Sequence, residues 1–193
     1  MSFASSLRRA ALLGTFVALS TLSWAQSFDF SGSRKLAEGV IAVTPDKIYT
    51  PELGYGYDLA AYAEGRFFSV ALPDGNYTVR LTLGSKKKAG CTTIRTEARR
   101  LMLENVVTRK GELKDFAFTV RVNDGHVSAT DASQVEIRKG TQGLDWDEKL
   151  TFEFSGQAPA VHSLSITPAA DSVPTLWLCG NSTVVNQEFE PWA

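Results

Sequence analysis

Pro73-Asp74-Gly75-Asn76-Tyr77-Thr78-Val79-Arg80-Leu81-Thr82-Leu83 is the stretch from which the fold class is read. Four turn-forming residues lead into a strict alternation. Tyr77, Val79, Leu81 and Leu83 fall on one side, and Thr78, Arg80 and Thr82 on the other. In an extended chain successive side chains point to opposite faces, so one face of this segment meets a core and the other meets water. The same period of two recurs in Phe116, Phe118, Val120 and Val122, in Leu150, Phe152 and Phe154, and more briefly in Phe68, Val70 and Leu72. Asn123-Asp124-Gly125, and Lys139-Gly140 with Gly143, supply further turn chemistry. No apolar stripe of helical spacing lies between these segments. The reading is a mainly β chain, an antiparallel β-sandwich over 26–170, with roughly 140 residues to build one core.

The flanking segments differ. Arg8 and Arg9 precede an apolar run from Ala10 to Leu22, and Ser23-Trp24-Ala25 puts small residues at the two cleavage-site positions. That is the layout of a secretory signal peptide over 1–25, too short and wrongly flanked to span a membrane, and it implies a secreted or periplasmic bacterial protein. Removing it takes away two arginines and no acid, leaving 18 basic against 21 acidic side chains and a net charge of −3. A mildly acidic chain without a basic tract has no electrostatic footprint for nucleic acid, and no membrane partner is expected after cleavage. Lys86-Lys87-Lys88, between Gly84-Ser85 and Ala89-Gly90, reads as a solvated hairpin tip. Export permits a disulfide between Cys91 and Cys179, but geometry decides that and the sequence leaves it open.

After Ala169-Ala170-Asp171-Ser172 the pattern changes, which divides 26–170 from a segment 171–193. Thr175-Leu176-Trp177-Leu178-Cys179 is continuously apolar, as a strand buried on both faces of a parallel sheet would be. Gly180-Asn181-Ser182-Thr183-Val184 follows. A serine on a strand-to-helix turn projects its hydroxyl from the sheet edge, and its own N–H near a helix N-terminus can face a developing oxyanion. A lone parallel strand has no partner for its hydrogen bonds, so 171–193 is expected to be the start of a larger α/β domain, cut after its first block.

The run Leu178 to Gln187, followed by Pro191-Trp192-Ala193, resembles the first block of the SGNH (GDSL-like) hydrolases, and in this extended form the rhamnogalacturonan acetylesterases. Gly54-Tyr55-Gly56-Tyr57-Asp58, Phe67-Phe68-Ser69-Val70, Leu72 to Tyr77, Arg99 to Glu104 and Trp146 to Leu150 are similar to the β-sandwich, galactose-binding-like in type, that precedes the esterase domain in many bacterial members. The resemblance implies that Ser182 is the nucleophile and a backbone oxyanion donor, with Gly180 and Asn181 in the same block. It implies an acyl-enzyme route that removes acetyl groups from acetylated pectic polysaccharide. Asn181 stands where the better-known pattern has Asp, which brings a donor and no charge. The family's Asp-x-x-His pair lies near the C-terminus and its other oxyanion donors in middle blocks. Only eleven residues follow Ser182, so the missing catalytic domain is a required partner and this chain alone is expected to be inactive.

Neither histidine suits as a substitute base. His126 reads as a turn residue facing solvent, and His162 shares parity with Leu164 and Ile166 on a strand. Tyr55, Tyr57 and Trp146, with Tyr62 nearby, are candidates for stacking on sugar rings, and the competing role is filling the rim of the core. Asp145, Asp147 and Glu148 could offer oxygens to calcium, but three acids beside a strand read as a solvated edge, so neither metal nor cofactor is expected. The alternative to an esterase portion is a non-catalytic carbohydrate-binding or cell-surface sandwich.

Overall fold

The computed structural model describes residues 25–58, 66–97, 100–123, 126–128, 131–134, 147–170 and 172–176. The described strands are β1 (Gln26–Asp29), β2 (Val40–Ala42), β3 (Tyr55–Asp58), β4 (Arg66–Ala71), β5 (Gly75–Gly84) and β6 (Gly90–Thr96). They continue with β7 (Arg100–Thr108), β8 (Leu113–Val122), β9 (His126–Ser128), β10 (Asp131–Gln134), β11 (Lys149–Ala158) and β12 (Val161–Pro168). One five-stranded sheet runs β2-β1-β12-β5-β8 and a second runs β3-β4-β11-β6-β7, while β9 and β10 pair as a separate ribbon. Every named pairing is antiparallel except β1 with β2.

The sheets face each other across one core, as the alternation requires. Val79, Leu81 and Leu83 of β5, Val120 and Val122 of β8, and Leu164 and Ile166 of β12 point inward from the first sheet. Phe68 and Val70 of β4, Ile94 of β6, and Leu150, Phe152 and Phe154 of β11 meet them from the second. Rings tie the layers together: Phe68 packs edge-on against Phe28 at 5.2 Å and against Phe30 at 5.0 Å between centroids. Burying each large side chain contributes about 1.5–3 kcal/mol, so this double layer is the main source of stability.

Two elements show no period of two. In β6 the inward positions hold Thr92, Ile94 and Thr96, so two of the three are polar in a strand that is nonetheless buried. In β7 a bulge sets Glu104 and Asn105 against Thr93, and Asn105 adopts φ 45° with its N–H bonded to the Thr93 hydroxyl at 3.0 Å. A second register shift leaves Met102 as an extra residue between Leu103, opposite Ile94, and Leu101, opposite Arg95, so Leu101-Met102-Leu103 does not alternate.

The segment Ser85–Ala89 also corrects an expectation. It is not a hairpin tip: β5 and β6 belong to different sheets, so this loop arches from one layer to the other. The turn at Pro73-Asp74 makes the same kind of crossing between β4 and β5, and Arg109–Glu112 does so between β7 and β8. A turn's composition marks where the chain reverses, not which sheet receives it.

At the end of the described chain, Thr175 and Leu176 do not open a buried strand. Both are exposed, Leu176 at 83%, and neither is extended against a neighbour. Instead the Thr175 hydroxyl is held by the Asn76 side chain, and the Asn76 amide donates to the Val173 carbonyl at 3.3 Å. The apolar residues that follow, Trp177 to Cys179, lie outside the described residues, as do all but Ala25 of the segment 1–25 read as a signal peptide.

Candidate functional site

Three connections meet at one end of the sandwich and enclose a cleft of about 820 Å³. They are the loop after β1, the arch between β5 and β6, and the turn between β11 and β12. Backbone bonds hold them together. The Phe30 N–H donates to the His162 carbonyl at 2.9 Å, and the Gly84 N–H donates to the Ala160 carbonyl at 2.7 Å. The arch itself is fixed through Ser85, whose carbonyl accepts from the Gly111 N–H at 2.9 Å and whose hydroxyl accepts from the Lys87 N–H at 3.1 Å.

The arch can approach so closely only because residue 84 is glycine. Its φ is 118°, and a Cβ there would run into the Glu112 carbonyl oxygen. Asp29 organises the first loop in the way aspartate initiates turns. Its carboxylate accepts from the Ser31 N–H at 3.1 Å and from the Ser31 hydroxyl at 2.8 Å, which folds the chain away from β1.

The lining combines apolar surface with cations. Phe30, Tyr57, Leu36 and Val161 contribute apolar wall, while Lys35, Lys86, Lys87 and Lys88 surround it and His162 sits on its β12 side. The arch lysines are exposed, as the sequence suggested, and they also line the cleft. His162 is half-buried against this cleft rather than packed in the core with Leu164 and Ile166, because a register shift between Val161 and Ser163 breaks the alternation there.

Tyr55 and Tyr57 lie on edge strand β3 with both rings turned toward the sandwich interior. Tyr55 packs at 5.3 Å from Phe28 and Tyr57 at 5.6 Å from Phe68. Between them Gly56 lies tight against the backbone of Ile48 and Tyr49. Tyr57 reaches the cleft, and Tyr55 fills the rim of the core. Trp146, Gly180, Asn181 and Ser182, together with Tyr62, Asp145 and Cys179, lie outside the described residues. His126 is in β9 rather than in a turn. Phe30, Leu36, Lys35 and the arch lysines are the site residues that sequence reasoning missed. The signal available was a dense lysine run flanked by glycines, and nothing local said what it would face.

A second polar cluster lies on the outer face of the β3-β4-β11 layer. The Lys149 ammonium donates to the Asp58 carboxylate at 2.9 Å, lies 3.4 Å from Asp147, and sits over the Tyr49 ring at 5.0 Å. Burial pulls this ammonium toward neutrality, but the Asp58 hydrogen bond and the Asp147 charge outweigh it and hold it above the ordinary lysine range. Burial raises the Tyr49 phenol. Ser69, fully buried, bonds the Thr151 hydroxyl at 2.8 Å and Asp58 at 3.1 Å. Here Asp147 serves a lysine, Glu148 is exposed, and among the described residues no three acids, histidines or cysteines are grouped to hold a metal ion.

No protein-family model matches the chain, and no curated protein is significantly similar to it. Among solved structures it is similar to the Bacillus subtilis protein YxiM, at 20% identity and TM-score 0.47, over 76% of this chain and 40% of that one. It thus spans about two fifths of YxiM. A calcium-binding mutant of Bacteroides uniformis β-glucuronidase 2 is similar over 76% of this chain and 18% of that one, at 9% identity and TM-score 0.40. A family 35 carbohydrate binding module from Clostridium thermocellum is similar over 55% of this chain and 72% of that one, at 8% identity and TM-score 0.30.

Proposed function

We propose that this chain is the N-terminal portion of a secreted carbohydrate esterase acting on acetylated pectic polysaccharide, and that its sandwich holds glycan in the cleft at the Lys86–Lys88 end. One observation carries the binding half. The cleft, at about 820 Å³, falls in the size range of small-molecule sites, roughly 300–1,000 Å³, and joins aromatic wall to polar rim as such sites do. Sugar rings present apolar faces and polar edges, and the two kinds of lining answer them separately.

The esterase half is supported by the resemblance of the block around Gly180, Asn181 and Ser182. In that reading the Ser182 hydroxyl attacks the acetyl carbonyl, a base takes its proton, and the tetrahedral intermediate expels the sugar hydroxyl. Water then cleaves the acetyl-serine and releases acetate. His162 faces the cleft, whereas Thr175, near the end of the described residues, is held at the Asn76 end of β5. Ten residues of strand separate those ends, about 30 Å at ~3.3 Å per residue. In this reading the cleft holds the polymer, and the resemblance assigns the base for Ser182 to a later Asp-x-x-His block.

Affinity electrophoresis in gels containing acetylated rhamnogalacturonan tests the binding half. The wild type is expected to be retarded, Ser182→Ala equally so, and Ala37→Trp, which sets an indole on the exposed cleft wall, less so. A wild type that migrates identically with and without glycan makes the sandwich a spacer. The coding DNA beyond Ala193 tests the other half. An in-frame Asp-x-x-His block supports the esterase, and an immediate stop codon overturns it in favour of a non-catalytic binding module.

A further inference from the structure

We propose that strand β8 is a pairing edge whose occupant is the β8 strand of a second copy of this chain, running antiparallel about a two-fold axis at Phe118. The two five-stranded sheets have four edge strands, and three of them are closed. β2 has only three residues. β3 has four and is covered by the chain before it: the Tyr57 N–H donates to the Lys47 carbonyl at 2.6 Å, and the Tyr57 carbonyl accepts from the Tyr49 N–H at 2.9 Å. β7 carries two register shifts, the positive φ of Asn105 and the Lys114 ammonium on the Val107 carbonyl. Short length, cover, bulges and lysines are the devices that keep sheet edges from pairing.

β8 is built otherwise. Its ten residues pair with β5 in unbroken register, and among the described residues no strand lies on its other side. From Asp115 to Arg121 it has neither proline nor glycine, and its inward positions are Phe116, Phe118 and Val120, with both phenylalanines only partly buried. Such an edge offers a long row of backbone donors and acceptors, and side chains decide which strand fits it. About an axis at Phe118, that residue meets its own counterpart, Phe116 meets Val120, and Ala117 meets Thr119. Asp115 then lies opposite Arg121, once on each side of the axis, and opposite charges so placed stabilise a ladder. Arg121 uses Nε for Asn123 and Nη2 for Asp74, which leaves Nη1 to donate across the axis. Moving the axis to Ala117 or Thr119 sets Arg121 against Leu113 or Ala117 and loses both charge pairs. The charges therefore select one register, and that register makes the edge complementary to itself.

Analytical ultracentrifugation of the full chain over a range of concentrations tests the proposal. The wild type is expected to pass from monomer to dimer as concentration rises. Asp115→Lys sets an ammonium against Arg121, and Arg121→Glu sets a carboxylate against Asp115, each twice per dimer. Each variant alone is expected to associate about tenfold more weakly. Mixing the two is expected to restore the dimer, since each offers the other the charge it lacks, a rescue that no loss of folding can imitate. Ala117→Glu/Thr119→Glu breaks the edge while sparing the fold: both positions are exposed, and residue 117 lies opposite Arg80 within the chain. This double variant is expected to keep the wild-type thermal midpoint and to stay monomeric where the wild type is dimeric. If a charge variant fails to fold, the double variant decides alone. A wild type that is monomeric throughout overturns the proposal, and so does a dimer that survives the double variant. Folded charge variants that associate as well as the wild type, or that do not recover on mixing, overturn the axis at Phe118.

Discussion

Gly84 shows how one residue sets the geometry of a site. At φ 118° and against the Glu112 carbonyl, any side chain brings both backbone strain and a collision with a backbone atom that cannot swing away. Gly84→Ala is expected to cost about 3 kcal/mol, read as a lowered thermal midpoint, and to loosen the arch that carries Lys86–Lys88. Lys149 is the residue whose charge matters most to the second layer. Its folded pKa is raised, so the stability it contributes is fully present below the unfolded value of about 10.5 and is lost as pH rises through the folded one. Lys149→Met takes the ammonium away from the half-buried Asp58 carboxylate and is expected to cost about 2 kcal/mol. In urea titrations the gap between wild type and variant should hold from pH 7 to 9 and close above about pH 10.5. A gap that widens at high pH would rule out the ion pair as its cause.

Among the elements, β5 connects the two ends that matter. Its Gly84 end enters the cleft, and its Asn76 end holds the departing chain. Asn76 does so three ways: its carbonyl accepts from the Ala169 N–H at 2.8 Å, its amide reaches Val173 and Thr175, and its side-chain oxygen accepts from the Thr175 hydroxyl. These side-chain bonds lie near solvent, so each is worth on the order of 1 kcal/mol. Asn76→Ala is expected to leave the thermal midpoint nearly unchanged while limited proteolysis around Val173 to Leu176 speeds up several-fold. Unchanged cleavage would mean that the clamp does not restrain the connector. At the opposite margin, edge strand β7 exposes Val107 at 61%, and the Lys114 ammonium caps its carbonyl at 2.8 Å across the gap between the sheets. A lysine laid on an open edge blocks addition of a further strand there.

For the whole molecule, Phe68 is where the two layers are joined. Its ring meets Phe28, Phe30, Tyr57 and Phe154 and is fully buried. Phe68→Ala is expected to cost about 3–5 kcal/mol, a large part of the stability a domain of this size has, and to lower the denaturation midpoint of both sheets together. Fluorescence and far-ultraviolet circular dichroism should trace one coincident transition, and separate transitions would mean that the layers are not one cooperative unit. The sandwich was legible because its signal is local: Tyr77 to Leu83 and Phe116 to Val122 carry their facing in the order of their residues, and each became an inward-pointing strand. β6 and β7 were less legible, since inward threonines and a bulge remove the period that betrays a strand. The cleft was not legible at all. Lys35, Lys86 and His162 are far apart in sequence, and only the pairing of β1 with β12 and β12 with β5 brings their loops to one end. The sequence by itself determined that this chain alternates, and therefore which face of each strand is apolar, because side-chain facing depends only on neighbouring residues. Only the tertiary structure decided which strands adjoin and what Lys86–Lys88 border, because register and sheet order are set by the joint packing of side chains from both layers.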